Sequence, residues 1–156
     1  MLPEAGIAGL DARPAPEVDS CPMQATYLTP LLHVSDVEAS IRWYELLGLK
    51  VVDTMGDPVF WVRLHCEGDA IMLTGAEKPI DPDAQRVAFY LYSPDLVALR
   101  EHLLANGVNA SEIYYPEYMP SGEVRLRDPD QFYVFVGHWG KKEQENWEKR
   151  IAERAK

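Results

Sequence analysis

At 156 residues the chain can bury a core without disulfide staples, and it is short enough for one domain or two small modules. Its 25 acidic and 15 basic residues give a formal charge of −10, which argues against a duplex nucleic-acid partner, because phosphate binding needs a basic face. No apolar run approaches membrane-spanning length, the N-terminus lacks the pattern of a signal peptide, and Cys21 and Cys66 form no CxxC pair, so a cytoplasmic location with no membrane partner is expected.

Residues 1–25 carry Pro3, Pro14, Pro16 and Pro22 with no hydrophobic period and read as a flexible N-terminal extension. Residues 26–34 read as a strand. Ser35 and Glu38 form an S-x-x-E capping box, Val37, Ile41, Tyr44 and Leu47 recur at helical spacing, and Gly48 is the stop. Strands are predicted over 49–54, 59–66 and 70–74, with turns at Gly56-Asp57-Pro58 and Glu67-Gly68-Asp69. Residues 76–85, with Pro79 and Pro82, are a linker between a first module (26–75) and a second (86–140).

The second module repeats the first. A strand over 86–92 leads to Ser93 as cap, a helix striped by Leu96, Leu99 and Leu103, and a stop at Gly107. Asp36 to Gly48 and Asp95 to Gly107 both span 12 residues, which indicates an internal duplication. Further strands are predicted over 108–115, 123–127 and 131–138. A Tyr- and Pro-rich loop covers 114–122, and Asp128-Pro129-Asp130 turns into the last strand. Residues 141–156 form a final helix, with Trp147, Ile151 and Ala155 on one face and Glu145 placed to pair with Lys149.

Two such modules, with the stretch SDVEASIRWYELLGL over 35–49 and the D-P-D turn, resemble the vicinal oxygen chelate superfamily over roughly 27–139. This is the glyoxalase, bleomycin-resistance and extradiol-dioxygenase group. Gln131 stands where that group usually has glycine. The resemblance implies an α+β fold: two βαβββ modules whose curved mixed sheets surround a cavity, making one domain over 26–140 with a C-terminal helix appended. It also implies a homodimer.

Strand alternation then assigns faces. Pro30, Leu32, Val34, Phe60, Val62, Leu64, Ile71 and Leu73 are expected in the core. Thr29, Leu31, His33, Trp61, Arg63, His65, Met72 and Thr74 are expected to face the cavity. From the second module Arg86, Ala88, Tyr90, Tyr92, Tyr133, Phe135 and Gly137 are expected to join them. Arg125 and Arg127 lie on either the cavity or the solvent side.

Metal enzymes of the superfamily use His, Gln or Glu at four strand positions, which the resemblance places at Thr29, Met72, Arg86 and Phe135. None is a good ligand for a divalent ion, so no metal and no cofactor are expected, as in the bleomycin-resistance branch. The remaining donors are His33 and His65 with Glu117 of the long loop. The ligand-binding set is Thr29, His33, Trp61, Arg63, His65, Met72, Arg86, Tyr90, Tyr92, Tyr133 and Phe135. Aromatic walls and cationic donors of this kind fit a small molecule that is aromatic and neutral or anionic. The expected function is binding, with an antibiotic or aromatic metabolite held unchanged. The alternative is a metal-independent lyase, isomerase or cyclase, with His33, His65 and Arg86 as catalytic candidates.

Overall fold

The computed structural model describes residues 28–155, so the expectations for the N-terminal extension and for Cys21 lie outside the described residues. Among these, β1 (Leu31–Val34), α1 (Val37–Leu46), β2 (Lys50–Met55), β3 (Trp61–Cys66) and β4 (Asp69–Gly75) make the first half. The second half holds β5 (Ala88–Ser93), α2 (Leu96–Ala105), β6 (Glu123–Arg127) and β7 (Tyr133–His138), and α3 (Lys141–Arg154) follows. The first sheet has the order β1-β4-β3-β2 and the second β5-β7-β6. In each, the strand preceding the helix pairs in parallel with a later strand, β1 with β4 and β5 with β7. This is the expected α+β architecture of two small mixed sheets with an added C-terminal helix.

The predicted strand over 108–115 is reduced to a single antiparallel bridge between Tyr114 and Glu123. The groups that would extend the ladder are already spent. Arg100 of α2 donates to the Ser111 carbonyl at 2.7 Å, and the Ser111 hydroxyl accepts the Arg125 N–H at 2.9 Å.

Both matched helices are capped by aspartate, one or two residues beyond the serines expected to do so. Asp36 accepts the Ala39 N–H at 2.9 Å, and Asp95 accepts the Ala98 N–H at 3.0 Å. A carboxylate is the stronger acceptor at a helix N-terminus, where the macrodipole is positive. Ser35 instead donates its N–H to Asp130 at 2.9 Å. Both helices stop at glycines with positive φ, Gly48 at 89° and Gly107 at 79°. The duplication is therefore one of caps and stops as well as of lengths. In α3, Glu145 pairs with Lys141 at 3.9 Å and not with Lys149.

Leu32, Val34, Val62, Leu64 and Leu73 are buried against Val37 and Tyr44 of α1. Val124, Leu126, Val134 and Val136 are buried against Leu96 and Leu103 of α2. Trp43, Leu47, Phe89 and Leu91 pack against both clusters and join them. Phe60, expected in the core, is 54% exposed. It precedes β3 and lies over Gly56, where a Cβ would meet its ring at 2.4 Å. Ile71 is half-buried and lines a cleft described below.

The D-P-D turn clamps the two halves together. Tyr44 of α1 donates its hydroxyl to Asp128 at 3.0 Å, and Asp128 also accepts the N–H groups of Asp130 and Phe132. Burial pushes the Asp128 carboxyl above its ordinary pKa, while these donors pull it back down. Gln131 follows with φ 68°, the left-handed conformation that suits glycine. A side chain there costs about 1–2 kcal/mol, and glycine returns part of that as extra freedom in the unfolded chain. Gln131→Gly is therefore expected to stabilise the fold by about 0.5–1 kcal/mol, read as a higher urea midpoint. A lower midpoint would show that the Gln131 side chain contributes more than its backbone strain costs.

Candidate functional site

The open faces of the two sheets carry the polar and aromatic residues that alternation leaves outside the cores. On the first sheet, cross-strand register places His33, Thr74 and Trp61 in one row and Leu31, Met72 and Arg63 in the next. His65 lies two residues beyond Arg63 and accepts its Nε–H at 2.9 Å. This bond fixes His65 Nε2 as an acceptor, so a neutral ring carries its proton on Nδ1. His33 pairs in register with Thr74 and His65 with Ala70, four residues apart along β4. At about 3.3 Å per residue that separates the two histidines by roughly 13 Å. Glu117 belongs to the second half, in the loop beside α3. The His33, His65 and Glu117 donor set is therefore not assembled.

The second sheet gathers the aromatic candidates. Ala88, Tyr133 and Arg127 form one row, Tyr90, Phe135 and Arg125 the next, and Tyr92, Gly137 and Glu123 the third. The Phe135 ring stacks on Tyr90 at 5.0 Å and on Tyr133 at 6.1 Å. Met119 of the long loop sits over Gly137, where a Cβ would come within 2.8 Å of its methyl carbon. Glycine at 137 is what lets the loop lie down on the end of this face.

A buried carboxylate organises the face. Glu123 has no exposed surface. It accepts the Tyr90 hydroxyl at 2.5 Å, the Tyr118 hydroxyl at 3.2 Å and Arg125 Nε at 3.0 Å. Burial and the bond to Glu123 push the Tyr90 hydroxyl well above its ordinary pKa, so it stays a donor. The bond to Glu123 likewise holds the Arg125 guanidinium in its charged form. That guanidinium lies over the Tyr114 ring at 4.7 Å and near Phe135 at 5.8 Å, with its outer nitrogens toward solvent. Arg127 covers the Tyr133 ring and donates to the Tyr133 hydroxyl and the Gln131 carbonyl.

Two candidates fall elsewhere. Arg86 precedes β5, is exposed, and donates to the Asp83 carbonyl at 3.1 Å. It was expected to face inward on a central strand, but β5 is an edge strand that starts two residues later. Thr29 precedes β1. A cleft of about 380 Å³ between the halves is lined by Pro30, Cys66, Ile71, Phe89, Tyr90 and Tyr92 among others; of the candidate set it takes in Tyr90 and Tyr92. Burial and the nearby Asp69 push the half-buried Cys66 thiol above its ordinary pKa, which leaves it a poor nucleophile. Glu123, Arg125, Tyr114 and Tyr118 were missed as site residues. The signal was present: Val124 and Leu126 read as core, so 123, 125 and 127 share the opposite face.

The model of the Glyoxalase/Bleomycin resistance protein/Dioxygenase superfamily matches residues 26–135, well over half of the chain. The chain belongs to this superfamily. No curated protein sequence matches it. Among solved structures it is similar to a bleomycin-binding protein complexed with bleomycin, with 19% identity and a TM-score of 0.60 over 74% of this chain and 99% of that one. It is similar also to TnmS3, an antibiotic-binding protein from Streptomyces sp. CB03234, with 18% identity and a TM-score of 0.60 over 74% and 97% of the two chains. A lactoylglutathione lyase from Agrobacterium tumefaciens matches at 20% identity and a TM-score of 0.57 over 74% and 95%. At these identities the likeness is one of fold, and binders and an enzyme of the superfamily share it.

The four positions at which the resemblance places the superfamily's metal ligands do not fit a divalent ion. Phe135 is stacked between two tyrosines, the Arg86 guanidinium bonds a loop carbonyl, and Met72 offers a thioether. Among the described residues no three His, Cys, Asp or Glu side chains converge as a ligand set.

Proposed function

We propose that this superfamily member is a metal-free small-molecule-binding protein whose ligand lies on the open face of the second sheet. The observation that carries the reading is the stack of Tyr133, Phe135 and Tyr90 beside an Arg125 whose charge is fixed by buried Glu123. Flat apolar walls with a few oriented polar groups suit an aromatic ligand. The free guanidinium edge suits one that is neutral or carries an acidic oxygen. An antibiotic or an aromatic metabolite, held unchanged in the cytoplasm, fits this chemistry. The fold likeness to a bleomycin-binding and an antibiotic-binding protein supports that choice. Both sheets leave their faces open, with Leu31 and Tyr92 about half exposed, and we propose a homodimer of the 26–140 domain that covers them.

The test uses N-phenyl-1-naphthylamine, an uncharged aromatic probe, followed by its fluorescence. Phe135→Ala is expected to weaken its binding about tenfold, the value of one well-packed ring contact, whereas His33→Ala leaves it unchanged. Equal effects of the two substitutions would remove the second sheet as the binding face.

A metal-independent lyase, isomerase or cyclase is the second reading. His33 then carries the proton, because Arg63 occupies the Nε2 lone pair of His65. Turnover of a carboxylated aromatic substrate that survives His33→Ala would exclude that assignment.

A further inference from the structure

The aromatic face does not end at the sheet. Tyr92 lies 6.4 Å from Tyr90 on one side and 5.2 Å from Trp139 on the other, and Trp139 lies 6.4 Å from Trp147 of α3. Six rings, from Tyr133 through Phe135, Tyr90, Tyr92 and Trp139 to Trp147, thus form one unbroken run from the sheet onto the C-terminal helix. The helix lies beyond residues 26–135, the part shared with the superfamily.

Where the run reaches α3, the chain builds a groove of about 940 Å³ between the helix and the loop that carries Tyr118. Tyr118, Trp139, Asn146, Lys142, Lys149 and Arg150 line it, with Glu117, Glu143 and Glu153. Its walls are tied in place. The Ser121 hydroxyl of the loop donates to Glu143 of α3, whose other oxygen accepts the Gly140 N–H at 3.0 Å. These donors hold the Glu143 carboxyl below its ordinary pKa, so it is a charged and fully engaged tie. Tyr118 is bonded to Glu123 across the loop, so the groove and the aromatic face share a wall. Among the described residues, Lys142, Lys149 and Arg150 form no ion pair. With Glu143 engaged, they outnumber Glu117 and Glu153 in the groove.

We infer that the α3 groove is an extension of the ligand site, taking an anionic arm of a ligand whose aromatic body lies on the ring run. This rests on the reading that the second sheet binds an aromatic ligand, and it names what that ligand must also carry: a carboxylate, sulfonate or phosphate beyond the ring system. Local cations fix such a group despite the net charge of −10, because charges beyond about 10 Å are screened at physiological salt.

A matched probe pair separates the two claims. N-phenyl-1-naphthylamine and 8-anilino-1-naphthalenesulfonate share one ring system and differ by the sulfonate. Both are titrated into the full chain and into Lys142→Gln/Lys149→Gln/Arg150→Gln, whose three sites are exposed and unpaired in the fold. The wild type is expected to bind the sulfonated probe more tightly than the uncharged one. The triple variant is expected to weaken the sulfonated probe about tenfold while shifting the uncharged one by less than twofold. If the uncharged probe binds but the sulfonate adds no affinity, or the variant weakens both probes alike, or the variant weakens neither, the groove is not an anion subsite and the aromatic face stands. If neither probe binds the wild type, the aromatic-face reading fails and the groove inference with it.

Discussion

Asp128→Ala is expected to destabilise the fold by about 3–5 kcal/mol, among the largest single-residue losses in the chain. The change strips the acceptor from three donors, the Tyr44 hydroxyl and the N–H groups of Asp130 and Phe132, at a site with 1% exposure. Each buried donor left alone costs about 1–3 kcal/mol, and part of that is recovered by local relaxation. Asp128→Asn is the informative comparison. Its amide oxygen can still accept the two backbone donors and its NH₂ can donate to Tyr44, so a loss of only about 1 kcal/mol is expected. Urea denaturation reads both. An alanine variant as stable as wild type would mean that the D-P-D turn does not hold the two halves together.

Glu123→Ala should be the most damaging change at the binding face. It removes the acceptor shared by Tyr90, Tyr118 and Arg125, and frees the loop that Tyr118 holds down. A stability loss of about 2–4 kcal/mol is expected, since hydrogen bonds to a charged group are worth about 1.5–3 kcal/mol each and Arg125 can turn to water. Binding of N-phenyl-1-naphthylamine is expected to fall more than tenfold, because the Tyr90 ring and the Arg125 guanidinium lose their fixed positions. Glu123→Gln keeps one acceptor oxygen and should fall between the two. Wild-type binding by Glu123→Ala would show that ring stacking alone orders the face.

Much of this architecture was legible in the order of residues. Helical spacing of Val37, Ile41, Tyr44 and Leu47, and of Leu96, Leu99 and Leu103, marks one buried face on each helix, and both helices occur. Period-two alternation placed Leu32, Val34, Val62, Leu64 and Leu73 in the core, because a strand face is set by the backbone alone. It also placed Tyr90, Tyr92, Tyr133 and Phe135 on one shared face. Glycine stops at 48 and 107 followed from the left-handed conformation a helix end requires.

What remained was settled by contacts between residues far apart in the chain. The caps passed from serine to aspartate partly because Asp130, 95 residues away, takes the Ser35 N–H. Segment 108–115 lost its strand ladder to Arg100 and to a serine hydroxyl, competitors that local propensity does not register. Arg86 left the site because β5 is an edge strand beginning after it, a property of the sheet order and not of the strand. Glu123 carries an ordinary acidic residue's signature in sequence. Only the arrival of Tyr90 from 33 residues away, with Tyr118 folding back over it, makes it a buried hub. Local periodicity determines which way a side chain points, whereas the tertiary fold determines what it meets there, and the chemistry of this face depends on the meeting.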